Sequence, residues 1–173
     1  MSQRGRIIKY LEMCRDENLS LQKGMNFCPR SDHSILLMSL RKGAPYQDRV
    51  ENDGAILIYE GHDAPRSSAV PNPKSIDQPG FLPSGALTEN GKFFEAASRF
   101  KKTGEARLVR VYEKLRDGVW ADNGEFYLVD AYQEKSGSRK VFKFKLKVTD
   151  SIFQRRAALK RSSRAGRELS RRQ

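Results

Sequence analysis

A chain of 173 residues, 38% hydrophobic and 31% charged, with a net charge of +12, is about one domain's worth of sequence and strongly basic. It contains no run of about 18 apolar residues, which excludes a membrane-spanning helix, and its basic start, Met1 to Arg6, lacks the apolar stretch of a secretory leader. Cys14 and Cys28 have neither zinc-ligand nor disulfide-framework spacing, which fits a reducing compartment, and the charge points to a polyanion partner, nucleic acid by default.

The elements follow from spacing. Ile7, Ile8, Leu11 and Cys14 recur at helical intervals and predict a short helix over 5–14. Ser34 to Leu40 is an apolar run of strand length, and Ala55 to Tyr59 is a second. With polar residues 41–54 as a loop between them, the two read as a wide hairpin. Residues 64–85 hold five of the seven prolines. Proline removes an amide donor and fixes φ, so neither a helix nor a central strand survives there. A long irregular loop in a small domain is usually functional, which makes this one a candidate binding loop.

Thr88 can cap a helix running to about Lys102, with Leu87, Phe93, Phe94, Ala97 and Phe100 as its apolar side and Gly104 as its stop. The period then changes to two. Leu108 to Tyr112 and Phe126 to Tyr132 read as strands, and Ser136-Gly137-Ser138 as a turn. Val141 to Val148 is the clearest strand, because Phe142, Phe144, Leu146 and Val148 alternate with Lys143, Lys145 and Lys147. The lysine face is read as solvated, with attraction of DNA as the alternative. The sum is an α+β domain of at least five strands, a curved sheet or partly open barrel with one packed helix.

Signatures of catalysis are missing. There is no phosphate-cradling glycine loop, dinucleotide fingerprint or nucleophile elbow. His33 and His62 are isolated, and Asp130, Glu134 and Lys135 lack the one-residue spacer of a carboxylate–lysine nuclease site. No catalytic residue is assigned, and no cofactor or metal is expected in this chain.

Lys42 to Arg66 is the informative stretch. Tyr46, Asp48 and Arg49 fall between the two apolar runs; Tyr59 ends the second, followed by Glu60, Gly61, His62 and Asp63. Two aromatic rings with a carboxylate between them suit an extruded base: stacking contributes about 1–3 kcal/mol per base, and a carboxylate accepts from the exocyclic amine of cytosine. The same residues also read as two core or rim tyrosines and a turn aspartate. His62 is read either as a pocket member or as a loop residue paired with Asp63.

Five segments in order make the stretch more specific. Ala44-Pro45-Tyr46-Gln47-Asp48 with Ile58-Tyr59-Glu60-Gly61, then Leu87-Thr88-Glu89-Asn90, Leu108-Val109-Arg110-Val111, Asn123 to Val129, and Lys140 to Leu146 together resemble the SRA (SET- and RING-associated) domain, over about residues 34–148. Members of that family bind modified cytosine. The resemblance implies an SRA-like fold and base flipping of 5-methyl- or 5-hydroxymethylcytosine in double-stranded DNA. Tyr46 and Tyr59 would stack on the base, Asp48 would accept from its amine, and backbone groups of Glu60 and Gly61 would read the remaining edge, with Arg49 and His62 beside them. Arg66, Ser67, Ser68, Lys74, Asn90 and Lys92 would contact the DNA backbone or groove, and the proline-rich loop 64–85 would fill the vacated position or lie in a groove.

Where the family's eukaryotic pattern has two glycines this chain has Ala44-Pro45, and Asp122-Asn123-Gly124 replaces a tyrosine-led Y-D-G. These departures look more like a bacterial branch that precedes an HNH nuclease in modification-dependent restriction enzymes. The implied organisation is an N-terminal helix and lead-in over 1–33, the SRA-like domain over 34–150, and a basic linker or tail over 151–173. Residues 154–173 carry eight Lys/Arg and one Glu, +7 of the +12, and read either as a solvated linker or as a phosphate-contacting arm. A nuclease beyond Gln173 would bring its own divalent metal and a route to a homodimer, in the bacterial cytoplasm near the nucleoid. Two rival readings stand beside it: a generic basic nucleic-acid-binding module that does not flip bases, and a nuclease in its own right, which would need metal-dependent activity from this chain alone.

Overall fold

A computed structural model describes residues 4–30 and 32–149; the basic tail lies outside the described residues. The strands are β1 (Arg6–Lys9), β2 (Met25–Asn26), β3 (Ser34–Met38), β4 (Arg49–Glu51), β5 (Ile56–Glu60), β6 (Arg107–Arg116), β7 (Val119–Ser136) and β8 (Arg139–Val148). They form one mixed sheet in the order β2-β3-β6-β7-β8-β5-β4, with β1 also paired to β7. Two α-helices join it, α1 (Tyr10–Glu17) and α2 (Glu89–Thr103). The sheet curves without closing into a barrel.

Its curvature has local causes. β7 is long enough to pair with β1, β6 and β8, and register shifts fall between Arg110 and Tyr112 on β6 and between Leu128 and Asp130 on β7. Such irregularities bend a strand and sharpen its twist. The sheet therefore curls until the end of β3 approaches the β4–β5 edge. The Ser39 amide donates to Asp48 across this seam at 3.1 Å, and the Tyr59 hydroxyl donates to the Leu37 carbonyl at 3.3 Å.

The capping reading of α2 holds. The Thr88 hydroxyl accepts from the Gly91 amide at 3.1 Å, Gly104 ends the helix in the left-handed region, and Phe93 and Ala97 enter the main core.

Three expectations are corrected. Residues 6–9 form β1 rather than a helix, and α1 starts at Tyr10. Pairing with Val119–Asp122 outweighs the helical spacing: Ile8 is buried, while Ile7 and Leu11 are 62% and 73% exposed. Next, β3 and β5 are not a hairpin. β3 lies between β2 and β6, parallel to the latter, and β5 pairs with β4 and β8. β3 is buried on both faces, with Leu36 and Met38 in the main core and Ile35 in a second cluster with Ile8, Met13, Leu21 and Tyr112, so its apolar run is continuous. The presumed loop 41–54 contains β4 and a 3₁₀ turn at Asn52–Gly54. Finally, the lysine face is not wholly solvated: Lys143 is 2% exposed. Its ammonium donates to Glu60 Oε2 at 2.9 Å and to the Gln47 carbonyl at 3.0 Å, which supplies the partners a buried charge needs.

Candidate nucleic-acid interface

At the seam a cavity of about 670 Å³ opens between the end of β3, the 41–46 loop and the segment leading into β2. Tyr46, Asp48, Tyr59 and His62 line it, as the sequence proposed for a pocket. Its far wall contains Tyr10, Gln22, Gly24, Lys114 and Trp120, from segments that no sequence motif had singled out.

Asp48 lies just before β4. Each of its oxygens accepts one backbone amide, Oδ1 from Glu60 at 2.9 Å and Oδ2 from Ser39 at 3.1 Å. Burial pushes its pKa up to about 6, more strongly than those two amides pull it down. A carboxylate has about four acceptor sites, so capacity remains on the cavity side.

The two tyrosines differ. Tyr59 is 3% exposed and fixed at its hydroxyl, and burial raises its pKa well above the ordinary value. Tyr46 is half-buried, and its hydroxyl accepts from the Asp63 amide at 3.3 Å. The imidazole of His62 stacks on the Tyr46 ring, with centroids 4.6 Å apart and planes 8° from parallel. His62 Nε2 and the Tyr59 hydroxyl are hydrogen-bonded at 2.8 Å. Burial lowers the His62 pKa to about 4, which keeps the ring neutral at ordinary pH.

Behind the cavity a polar cluster fixes the loop after β5. Gln78 donates to the Gly61 carbonyl at 2.6 Å and to Asp63 at 3.1 Å. Arg139 donates to Asp63 at 2.7 Å and to the Pro73 carbonyl at 3.2 Å. Lys74 pairs with Asp63 at 2.8 Å and places its ammonium 4.3 Å from the Tyr46 ring centroid. Burial works to raise the Asp63 pKa, but the bonds from Lys74, Arg139 and Gln78 outweigh it and hold the carboxyl below its usual value. A Cβ on Gly61 would come within 2.6 Å of Asn90 Oδ1 and 2.9 Å of Gln78 Oε1, so only glycine fits there. The proline-rich loop, irregular except for a 3₁₀ turn at Pro73–Ser75 that the proline count did not anticipate, is thus tied down.

The remaining sequence candidates are placed as follows. The Glu60 amide is used on Asp48, and the Gly61 amide donates to the Phe142 carbonyl at 2.9 Å, so both point into the protein. Arg49 binds Glu51 at 3.0 Å and Tyr132 at 3.3 Å on the sheet edge, outside the cavity lining. Asn90 is 3% exposed; it holds the His62 backbone on both sides, accepting from its amide at 2.9 Å and donating to its carbonyl at 2.8 Å. It positions the pocket, with its amide taken up by backbone groups. Lys92 pairs with Glu89 at 2.8 Å. Arg66, Ser67 and Ser68 are exposed on the loop. Arg41, Lys42 and Lys114, which the sequence reading passed over, are cations of the cavity lining.

No family model matches the sequence, and no curated protein does. Solved structures do. The SUVH5 SRA domain in complex with hemi-methylated CG DNA aligns over 87% of this chain and 90% of its own length, with a TM-score of 0.59 at 19% identity. The same domain bound to fully hydroxymethylated CG DNA gives 0.60 at 18% identity, over 86% of this chain and 89% of its own. The fold is SRA-like. Arabidopsis thaliana SUVH6 in complex with SAM shares it at a TM-score of 0.51 and 15% identity, over 86% of this chain and 25% of that longer one. In this SRA-like frame, the cavity lies at the seam where the curved sheet fails to close.

Proposed function

We propose that this chain binds double-stranded DNA carrying 5-methyl- or 5-hydroxymethylcytosine and takes the modified base, flipped out of the duplex, into the seam cavity. One observation carries the reading: Asp48, whose partners are backbone amides, lines a cavity together with the stacking ring of Tyr46. Support comes from the SRA-like fold and from the methylated and hydroxymethylated DNA bound by the SUVH5 domains.

Asp48 would accept from the exocyclic amine of the base. In its protonated form it would also donate to the ring nitrogen beside that amine, meeting two of the three polar groups of the Watson–Crick edge. Tyr46 would supply the stacking face. Extrusion costs a few kcal/mol, offset by stacking, base-edge hydrogen bonds and phosphate contacts. Lys42, Arg41 and Arg66 are the candidates for those contacts, since Lys74 is held by Asp63. We further read the domain as the recognition part of a modification-dependent nuclease, on the strength of the sequence resemblance to the bacterial SRA branch.

The test is affinity for matched duplexes containing cytosine, 5-methylcytosine or 5-hydroxymethylcytosine, with a fluorescent base analogue at the target position. Preference for a modified duplex and a brightened analogue are expected. Equal affinities and a dark analogue in the saturated complex would instead indicate a groove-binding module.

A further inference from the structure

We propose that His62 is the gate of the base slot: its imidazole occupies the stacking position on Tyr46 in the DNA-free protein and must swing aside for a flipped base. The inference rests on the base-binding reading above. A planar ring parallel to Tyr46 at 4.6 Å lies where an inserted base would stack, and it lines the same cavity as Asp48. Its edge is held by the Tyr59 hydroxyl at 2.8 Å, as a base edge would be held by a pocket wall.

Two independent features show that the ring position is built in. The first is Gly24, which packs directly against the ring. A Cβ there would lie 2.5 Å from His62 Cε1 and 2.7 Å from Nε2, so the missing side chain makes room for the imidazole. The second is Asn90, which fixes the His62 amide and carbonyl at 2.9 and 2.8 Å. The backbone is clamped, so only the side chain can move, by breaking its bond to Tyr59 and its stacking on Tyr46. The slot therefore stays filled by a neutral ring instead of standing open to water, and every flipped base, modified or not, meets the same displacement cost. The gate raises the threshold for extrusion without choosing between bases.

The test uses the full chain with modified and unmodified duplexes. Replacing His62→Ala should tighten binding to both by about tenfold, the equivalent of one stacking contact no longer displaced, and leave their affinity ratio unchanged. His62→Phe keeps a ring in the slot without the bond to Tyr59 and should stay within a few-fold of the unsubstituted chain. It also carries the test if His62→Ala does not fold, because tight binding by the Phe variant would contradict a plug. Weaker or unchanged binding by His62→Ala would overturn the gate. The base analogue separates the two failures. If it brightens with the unsubstituted chain while His62→Ala gains nothing, the gate is wrong and flipping stands. If it stays dark in the saturated complex, flipping is wrong and the gate falls with it.

Discussion

The carboxylates of Glu17 and Asp48 both sit in polar surroundings, and their partners differ. Glu17, at the end of α1, meets Arg110 at 3.2 Å, the Tyr112 hydroxyl at 2.5 Å and His33 at 2.7 Å, while His33 is held on its other side by Asp32 at 2.9 Å. Arg110 also pairs with Asp122 at 2.8 Å. Cations and donors close this cluster around the second apolar core. Asp48 is held by two backbone amides and faces a cavity, and the Lys143 charge that reaches it is paired with Glu60. The comparison teaches that a buried carboxylate surrounded by side-chain partners braces a fold, whereas one given amides and open space keeps bonding capacity for a ligand.

The largest expected effects fall on the bracing side. Glu17→Ala should destabilise the DNA-free chain by about 3 kcal/mol, because it leaves the buried Tyr112 hydroxyl without its acceptor and removes one of the two carboxylates on Arg110. Urea denaturation reads the loss, and the preference for modified over unmodified duplex should survive at temperatures where the variant is folded. Tyr59→Ala belongs on the same side of the comparison. Loss of a buried aromatic side chain should cost about 3–5 kcal/mol of stability. Tyr46→Ala, at a half-buried ring, should instead cost about 1–3 kcal/mol of affinity, the value of a stacked base. Paired thermal melts and titrations separate the two tyrosines; equal stability losses would make both of them scaffold.

Asp48→Ala should reduce discrimination between modified and unmodified duplex by about 1–3 kcal/mol, as for a lost base-edge contact. Equal losses on both duplexes would remove it as base reader. Its protonation gives a sharper test. The folded pKa, about 6, lies above the ordinary carboxylate value of 3.8, so folding favours the protonated form. That contribution is fully present at pH below the unfolded value and is lost as pH rises through about 6. Because the protonated group meets the ring nitrogen of the cytosine edge as well as the amine, affinity for modified duplex should rise as pH falls through the same window. The profile should flatten in Asp48→Ala. His62 has the opposite sign: its pKa is lowered from 6.5 to about 4, so its stabilising contribution is lost as pH falls through that value.

The smallest effects come from the surface cations. Lys42→Ala or Arg66→Ala should lower affinity on both duplexes and reduce the salt slope by roughly one unit each. Lys74→Ala should change the slope less, since its ammonium already sits on Asp63, and should act through the seating of Tyr46.

Local signals carried much of this protein. Thr88 and Gly104 bound α2 because a hydroxyl cap and a left-handed stop act within one turn. The alternation along β8 and the ban that five prolines place on regular structure are equally local. Tyr46, Asp48, Tyr59 and His62 were legible as a group because they fall within one short stretch, and the structure brings them to one cavity. Tertiary structure decided what needs distant partners. Gly24 and Trp120 join the cavity wall only because the curled sheet brings the lead-in and β7 beside the end of β3. Lys143 reads as a solvent-facing residue until Glu60, 83 positions away, meets it. Asn90 looks like a DNA contact until the His62 backbone, 28 positions away, occupies both ends of its amide. Periodicity reports which face of an element is apolar. Which polar groups are buried against which, and what ring sits on Tyr46, follow only from how the sheet curls.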